Sequence, residues 1–463
     1  MNRVAGIETE YGCLVTGDPA HGPDTWPARV KNYLFRKARA GVIDLHYRDY
    51  EEPPGNGGFL LNGGRLYIDM GHLEYASPEC RAVRDVAAFD LAGDMLLQSA
   101  LEALGVAEEV SFIKNNVDHH TGATFGCHEN YLMKRELQFT PRALGTLLSF
   151  LATRQLFTGA GRVGQASPLA FDFEPDNHPH AVPFQLSQRA DHIVNDIYQW
   201  VQFNRAIINA RDEPLADFRK YRRLHLLIGD SNMSPFATAL KIGTTALILT
   251  LLEEDNLPDD VLLQDAVLAT RQISHEGSGH GIVQLEDGRS RSALELQQEF
   301  LAHAQHALRG RDDETDWILE TWDFTLAALH KEPELLIGGV DWISKKWLLE
   351  TFRESEGLEW HDPWLQSLDL AYHDINPAKG LFFGLKPAKK IADFNESIRQ
   401  PAAMHTPPGD TRARGRGEAV RFFQQMQDAY VVNWDAISLG NSCQLPMPDP
   451  FHTYEAQVRE FLS

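Results

Sequence analysis

Two stretches of this chain, GIETEYG at 6–12 and RLYIDMGHLEYASPE at 65–79, place ionisable side chains at every second position of otherwise apolar, strand-like segments. Successive side chains of a strand point to opposite faces, so Leu66, Ile68 and Met70 are expected on one face and Arg65, Tyr67 and Asp69 on the other. Glu8 and Glu10 share a face by the same period. The sheet this builds is greasy on one side and ionic on the other, and the ionic side either meets solvent or lines a site. Paired carboxylates repel, and burial costs several kcal/mol per ion unless cations compensate. They therefore face water or share a metal. Mg²⁺ prefers oxygen ligands and is usually held by a few protein groups together with substrate phosphates. Glu8 or Glu10, joined by Asp69 and Glu74, would supply such a cage.

The remaining pattern is an α+β one. Short strands are expected near 3–9, 59–70, 110–117 and 223–229, and the clearest helical periodicities start at 84, 141, 236, 292 and 317. Three prolines and a glycine in PAAMHTPPGD, 401–410, break the pattern, which predicts a large domain over 1–400 and a small C-terminal one over 401–463. PGNGG at 54–58 reads as an exposed, flexible insertion and its neighbour HYRDYEEPP as loop. A net charge of −22 opposes nonspecific binding to nucleic acid or anionic membrane. Cys13, Cys80, Cys127 and Cys443 are scattered without a CxxC pair, the usage of reduced thiols in the cytosol, and speak against a structural zinc. The N-terminus does not read as a signal peptide. The most apolar stretch, GTTALILTLL, is about half of the roughly twenty residues a membrane span needs. A cytoplasmic protein is expected.

Several motifs compete for a role. GAGRVG at 159–164 matches a dinucleotide fingerprint, but a helical segment precedes it where the fingerprint requires a strand, so it reads as a glycine-rich turn. The chain has no P-loop motif. A zinc hydrolase has little support: His119 and His120 adjoin, His178 and His180 flank a proline, and no H-E-x-x-H helix exists. Cys127 and His128 are adjacent in an extended stretch and point apart, so they form no dyad. Arg222, Arg223 and His225, at the head of an apolar strand, could neutralise phosphates through charge-assisted hydrogen bonds. His275 in SHEGSGH reads as a loop histidine.

GIETEYG, NGGRLYIDMGHLEYASPE, KNNVD, GCHENYL, NARDEP, KYRRLHLLIGDSNMS, LDLAYHDI and DTRARGRGE, in this order from about residue 3 to 455, together resemble the Pup ligase and depupylase family, relatives of glutamine synthetase and the carboxylate-amine ligases. The resemblance implies a glutamine-synthetase-like large domain, whose curved antiparallel sheet, covered by helices, cradles ATP and Mg²⁺, and a small C-terminal domain. It implies a ligase that phosphorylates the C-terminal glutamate side chain of Pup, a small disordered modifier, and passes it to a substrate lysine, tagging proteins for a bacterial proteasome. Carried over by motif, Asp69 resembles the catalytic base, Glu8, Tyr67 and Glu74 the metal-site residues, and Arg65, Ser77 and Trp434 the ATP contacts, with His225 and Arg412 near the phosphates. Arg219 and Lys220 are candidates to meet the acidic modifier.

Within the family the signals divide. DSNMS, LDLAYHDI, KNYLFRK and PDPF resemble the ligase, whereas KNNVD, TGAGRVG and the Asp69-to-Glu74 spacing resemble the depupylase. HYRDYEEPPGNGG is shorter than the loop depupylases carry before their RLYID strand, which favours the ligase. Leu73 stands where the family has a proline. The alternatives are a depupylase and Pup deamidase, a non-catalytic ATP-binding module, and a small-molecule carboxylate-amine ligase.

Overall fold

The computed structural model describes all residues except 1–2, 18–20, 49, 51, 120, 165–181, 200–204, 427–428 and 441–442. His120, His178 and His180 of the zinc reading lie outside the described residues.

A ten-stranded sheet organises the large part of the molecule. Its strands are β1 (Ala5–Val15), β2 (Gly41–Ile43), β3 (Gly57–Leu60), β4 (Arg65–Asp69), β5 (His72–Ala76), β6 (Val110–Ile113), β7 (Cys127–Lys134), β10 (Asn195–Tyr198), β11 (Ala206–Asn209) and β12 (Tyr221–Leu226). Between them fall β8 (Arg162–Val163) and β9 (Phe184–Gln185), a separate pair. The order is β10-β11-β12-β7-β1-β5-β4-β3-β2, with β6 on the far half of β1. Every pairing is antiparallel except β10 with β11. A small hairpin, β13 (Ile282–Gln284) with β14 (Ser290–Ser292), and a C-terminal three-stranded sheet, β15 (Tyr430–Val432), β16 (Ala436–Leu439) and β17 (Cys443–Pro446), complete the strands.

The alternation expected at 65–69 is realised. Leu66 and Ile68 of β4, with Leu73 and Tyr75 of β5, pack with helices Trp26–Arg36 and Val83–Leu104 in one apolar cluster. Met70 departs from the expectation: it is 74% exposed, and with Gly71 it forms the two-residue hairpin turn, both at positive φ (47° and 95°). Turns of that hand match the twist of the strands they join, so the period ends at Asp69, opposite His72. The strand expected over 59–70 is therefore two strands. PGNGG is likewise no flexible insertion, because its last two glycines are buried in β3. A Cβ at Gly57 would lie 2.3 Å from that of Tyr67, and one at Gly58 2.1 Å from the Val42 carbonyl oxygen.

Helix Pro235–Glu253 carries the apolar GTTALILTLL stretch and is long and apolar enough to cross a membrane, but nearly every residue of it is buried in the largest core cluster. GAGRVG follows helix Gln155–Thr158, as the turn reading requires, with Gly161 and Gly164 at positive φ. His275 is not in a loop; it sits in the last turn of helix Ala266–Glu276 and pairs with Asp191. The C-terminal helix Ala413–Phe423 and sheet share a third core cluster with Val42 and Phe59 of β2 and β3.

Candidate active site

Antiparallel pairing places directly opposed residues on the same face. Glu10 opposes Glu74, Glu74 opposes Tyr67, Glu8 opposes His128, and Asn130 opposes His225, so residues from five strands form one polar field. The opposite face of β1 is occupied by helix Val83–Leu104, where Thr9 and Tyr11 donate to Asp90 and Asp94. The ionic side is thus a lined cavity rather than a solvated face.

Two clusters stand side by side in this field. Carboxylate oxygens of Glu10, Asp69 and Glu74 lie within 4.8 Å of one another, and so do ligand atoms of Glu8, His128 and His225. The expected set of Glu8, Tyr67 and Glu74 is therefore divided between them: Glu74 groups with Glu10 and Asp69, Tyr67 donates its hydroxyl proton to Glu74, and Glu8 groups with two histidines. Glu10 is fixed by the Gly126 amide at 2.7 Å and by His72, 3.5 Å away and stacked on Phe125. Glu8 accepts from Asn130 at 3.0 Å and contacts His128 at 3.3 Å.

The electrostatics of the two clusters differ. Burial pushes Glu74 well above the carboxylate range, and Glu10, Glu8 and Asp69 push it further. Tyr67 is raised by burial and then by Glu74 and Glu8. Burial acts on Glu8 in the same direction, but the His128 hydrogen bond and the charges of His225, His128 and Arg223 outweigh it and hold Glu8 at about 2. His225 is lowered to about 3 by burial, with Arg223, His128 and Arg211 acting the same way and Glu8 opposing. An all-oxygen cluster carrying excess negative charge in a buried place fits a hard divalent cation such as Mg²⁺. Glu10, Asp69 and Glu74 would hold it, and the Glu8 cluster offers a second, mixed nitrogen and oxygen set.

Beside this field opens a cleft whose wall includes Glu8, Ser77, Glu79, Arg223, Arg412 and Trp434. Residues from both ends of the chain meet there, Ser77 with Arg412 and Trp434. Arg65 points elsewhere: its guanidinium bridges Asp44 (3.0 Å) and Glu52 and lies 4.6 Å from the Tyr67 ring centre. Arg222 also turns away, against Phe139, whereas Arg223 faces the cleft, because alternate positions of β12 share a face. Cys127 is buried and His128 half-buried on opposite sides of β7. Arg219 and Lys220 are exposed on the connection from β11 to β12.

Sequence reasoning did not single out His128, Asn130 or Glu79 as site residues. The first two stand at alternate positions of GCHENYL, so strand periodicity could have found them; Glu79 gives no such signal.

The chain matches the Pup-ligase protein family over residues 3–438. It is 36% identical to the Pup–protein ligase of Nocardioides sp. (strain ATCC BAA-499 / JS614), with 99% of each chain covered. It is 37% identical to the depupylase of Acidothermus cellulolyticus (strain ATCC 43068 / DSM 8971 / 11B), covering 100% of this chain and 97% of that one. Among solved structures it superposes on the Pup ligase PafA in complex with Pup with a TM-score of 0.81, at 32% identity, covering 100% of this chain and 92% of that one. PafA in complex with ADP gives a TM-score of 0.75 at 32% identity, with 94% and 93% covered. With the motifs in order, the polar field on one sheet face and these full-length similarities, the chain belongs to the Pup-ligase family.

Proposed function

We propose that this protein is an ATP- and Mg²⁺-dependent ligase that joins the C-terminal glutamate side chain of a Pup-like modifier to lysines of other proteins. The observation that carries this reading is the convergence of Asp69, Glu10, Glu74 and Tyr67 on one sheet face, next to a cleft lined by Ser77, Arg412 and Trp434. A carboxylate is a poor electrophile until phosphorylated, so the site must bind a nucleotide and a carboxylate together and then admit an amine. When bound, Mg²⁺ supplies charge neutralisation at the phosphates. Arg223 is the cation of the cleft best placed to add to it: among the described residues its Nε is buried without a hydrogen-bond partner, and its side-chain hydrogen bond to Asn130 Oδ1 is long at 3.5 Å. Arg65 differs from it in being paired through Nη2 with Asp44 and Glu52, and its guanidinium lies over the Tyr67 ring.

Asp69 stands at the last position of β4, before an exposed hairpin turn, where an incoming lysine can reach it. A lysine amine with a pKa of about 10.4 is protonated at neutral pH, so attack on the acyl phosphate requires a base to take its proton. Asp69 takes that proton, and the amine displaces phosphate to leave the isopeptide bond. A cytoplasmic location, a bacterial proteasome as the downstream consumer and a domain boundary near residue 400 go with this reading.

The relationship to a depupylase keeps the reverse chemistry as the second reading, since the same base could assist attack on the isopeptide carbonyl. Incubation with ATP, Mg²⁺, a Pup-like protein ending in glutamate and a lysine-bearing acceptor, in parallel with a preformed conjugate, separates the two by gel shift and intact mass. Conjugate formation in the first tube, abolished in Asp69→Asn, is expected. Loss of conjugate in the second tube without formation in the first would make the protein a depupylase. ATP binding without either reaction would make it a binding module.

A further inference from the structure

Glu79 lies outside the acidic field, just after β5, and none of the sequence motifs assigned it a role. Its carboxylate is the meeting point of two C-terminal arginines. Arg412 Nε donates to Glu79 Oε1 at 2.7 Å, Arg416 Nη1 donates to the same oxygen at 3.1 Å, and Arg416 Nη2 donates to Oε2. The backbone joins in, as Thr411 Oγ1 donates to the Glu79 carbonyl at 2.8 Å.

Each arginine carries this anchorage further. Arg412 reaches the Met447 carbonyl, and its own amide donates to that of Pro450, fixing the segment that closes one side of the cleft. Arg416 donates to the carbonyls of Gly63 and Trp434, and its guanidinium carbon lies 4.7 Å from the Trp434 ring centre. Trp434 meets Phe59 of β3 edge-on, with ring centres 5.1 Å apart. Glu79, Arg412 and Trp434 all line the cleft.

We propose that Glu79 is a positioning residue for the nucleotide: it orients Arg412 directly, and Trp434 through Arg416, so that the C-terminal unit presents both to the cleft beside the Glu8 and Glu10 strand. The inference rests on the reading of that cleft as the nucleotide site. The physical argument is one of valence. Two guanidinium forks converge on one carboxylate, and an isosteric amide offers a single acceptor oxygen while turning an N–H toward one of the arginines. Glutamine at 79 therefore frees Arg412 or Arg416 and with it the ring of Trp434. Aspartate keeps the charge, but its carboxylate, one methylene shorter, cannot span both forks.

The test measures ATP binding by calorimetry and steady-state kinetics in the full-length protein, for the wild type, Glu79→Gln, Glu79→Asp, Arg412→Gln and Glu79→Gln/Arg412→Gln. Glu79→Gln should raise the Kd and KM for ATP by about tenfold or more, the equivalent of one charge-assisted hydrogen bond. The KM for the Pup-like modifier should stay unchanged, which a general loss of structure would not produce. Glu79→Asp should fall between, and the double variant should bind ATP no more weakly than the worse single one, because the residues act as one unit. Equal ATP affinity in wild type and Glu79→Asp, or a parallel rise in the KM values for ATP and modifier, would overturn the proposal. A wild type that binds no ATP would instead overturn the nucleotide reading on which it rests. If Glu79→Gln fails to fold, Glu79→Asp and Arg412→Gln alone decide: ATP affinity unchanged in both removes the role.

Discussion

The two faces of β1 carry carboxylates in opposite circumstances. Beneath it, Asp90 and Asp94 share the ammonium of Lys114 at 2.7 and 3.1 Å and accept further hydrogen bonds from Thr9 and Tyr11. Above it, Glu10 and Glu74 have no lysine or arginine ion pair among the described residues, and the nearest help comes from a tyrosine, a histidine and one backbone amide. Both sets are buried. Burial and Asp90 still hold Asp94 up at about 6 against the pull of Lys114, so the lower cluster is partly compensated and fastens a helix to a sheet, whereas the upper one, with no such cation, stores electrostatic tension that a bound cation relieves. The difference separates structure from function on a single strand.

Asp69→Asn attacks the functional side of that comparison and should have the largest effect, a loss of about two to four orders of magnitude in ligation rate. Single-turnover conjugate formation would check it, and an active variant would remove Asp69 as the base. Lys114→Met attacks the other side. Breaking a buried pair while leaving its carboxylates in place should destabilise the fold by about 3–5 kcal/mol, read by urea unfolding. A smaller loss than in an exposed-pair control such as Arg311→Met would mean that the Asp90 and Asp94 cluster is not compensated as described.

Glu79 sharpens the comparison as a third setting, a half-buried carboxylate held down by two arginines. Burial alone would raise its pKa, but Arg416 and Arg412 bring it to about 2 from an ordinary 4.5. Because the folded value is the lower one, this stabilisation is present above pH 4.5 and lost as the pH falls toward 2, about 3 kcal/mol in all. The slope of unfolding free energy against pH in that window should flatten in Glu79→Gln. The smallest effect is expected at Glu74. With its pKa pushed up by burial and then by Glu10, Glu8 and Asp69, Glu74→Gln should stabilise the metal-free protein at neutral pH. Mg²⁺ at ten times its Kd should stabilise the wild type by about 1.4 kcal/mol and the variant by less, in thermal melts with and without the ion. Equal Mg²⁺ effects would take Glu74 out of the metal set.

Much of the site was legible in the sequence. Strand periodicity put Arg65, Tyr67 and Asp69 on one face and Glu8 with Glu10 on another, and both faces proved to be the same side of one sheet. The pairing of Arg65 was not legible, because Glu52 comes from a segment that reads as plain polar loop and Asp44 from just before it. Met70 misled because a two-residue turn ends the period one position early. The glycines of PGNGG misled for a steric reason: close strand packing and flexibility use the same residue type, and only the neighbours at 2.1–2.3 Å decide between them.

What the sequence determined by itself is local and periodic: which residues alternate, which segments are helical, which side of each strand is ionic, and, through ordered motifs, the family. Those properties follow from backbone geometry acting over a few residues. Which charges are neutralised was decided only by the tertiary structure, since Lys114 meets Asp90 and Asp94, and Glu79 meets Arg412 and Arg416, across separations of 20 to 337 residues. Coulombic and hydrogen-bond energies depend on distance in space and on burial, and neither is encoded at a fixed spacing along the chain.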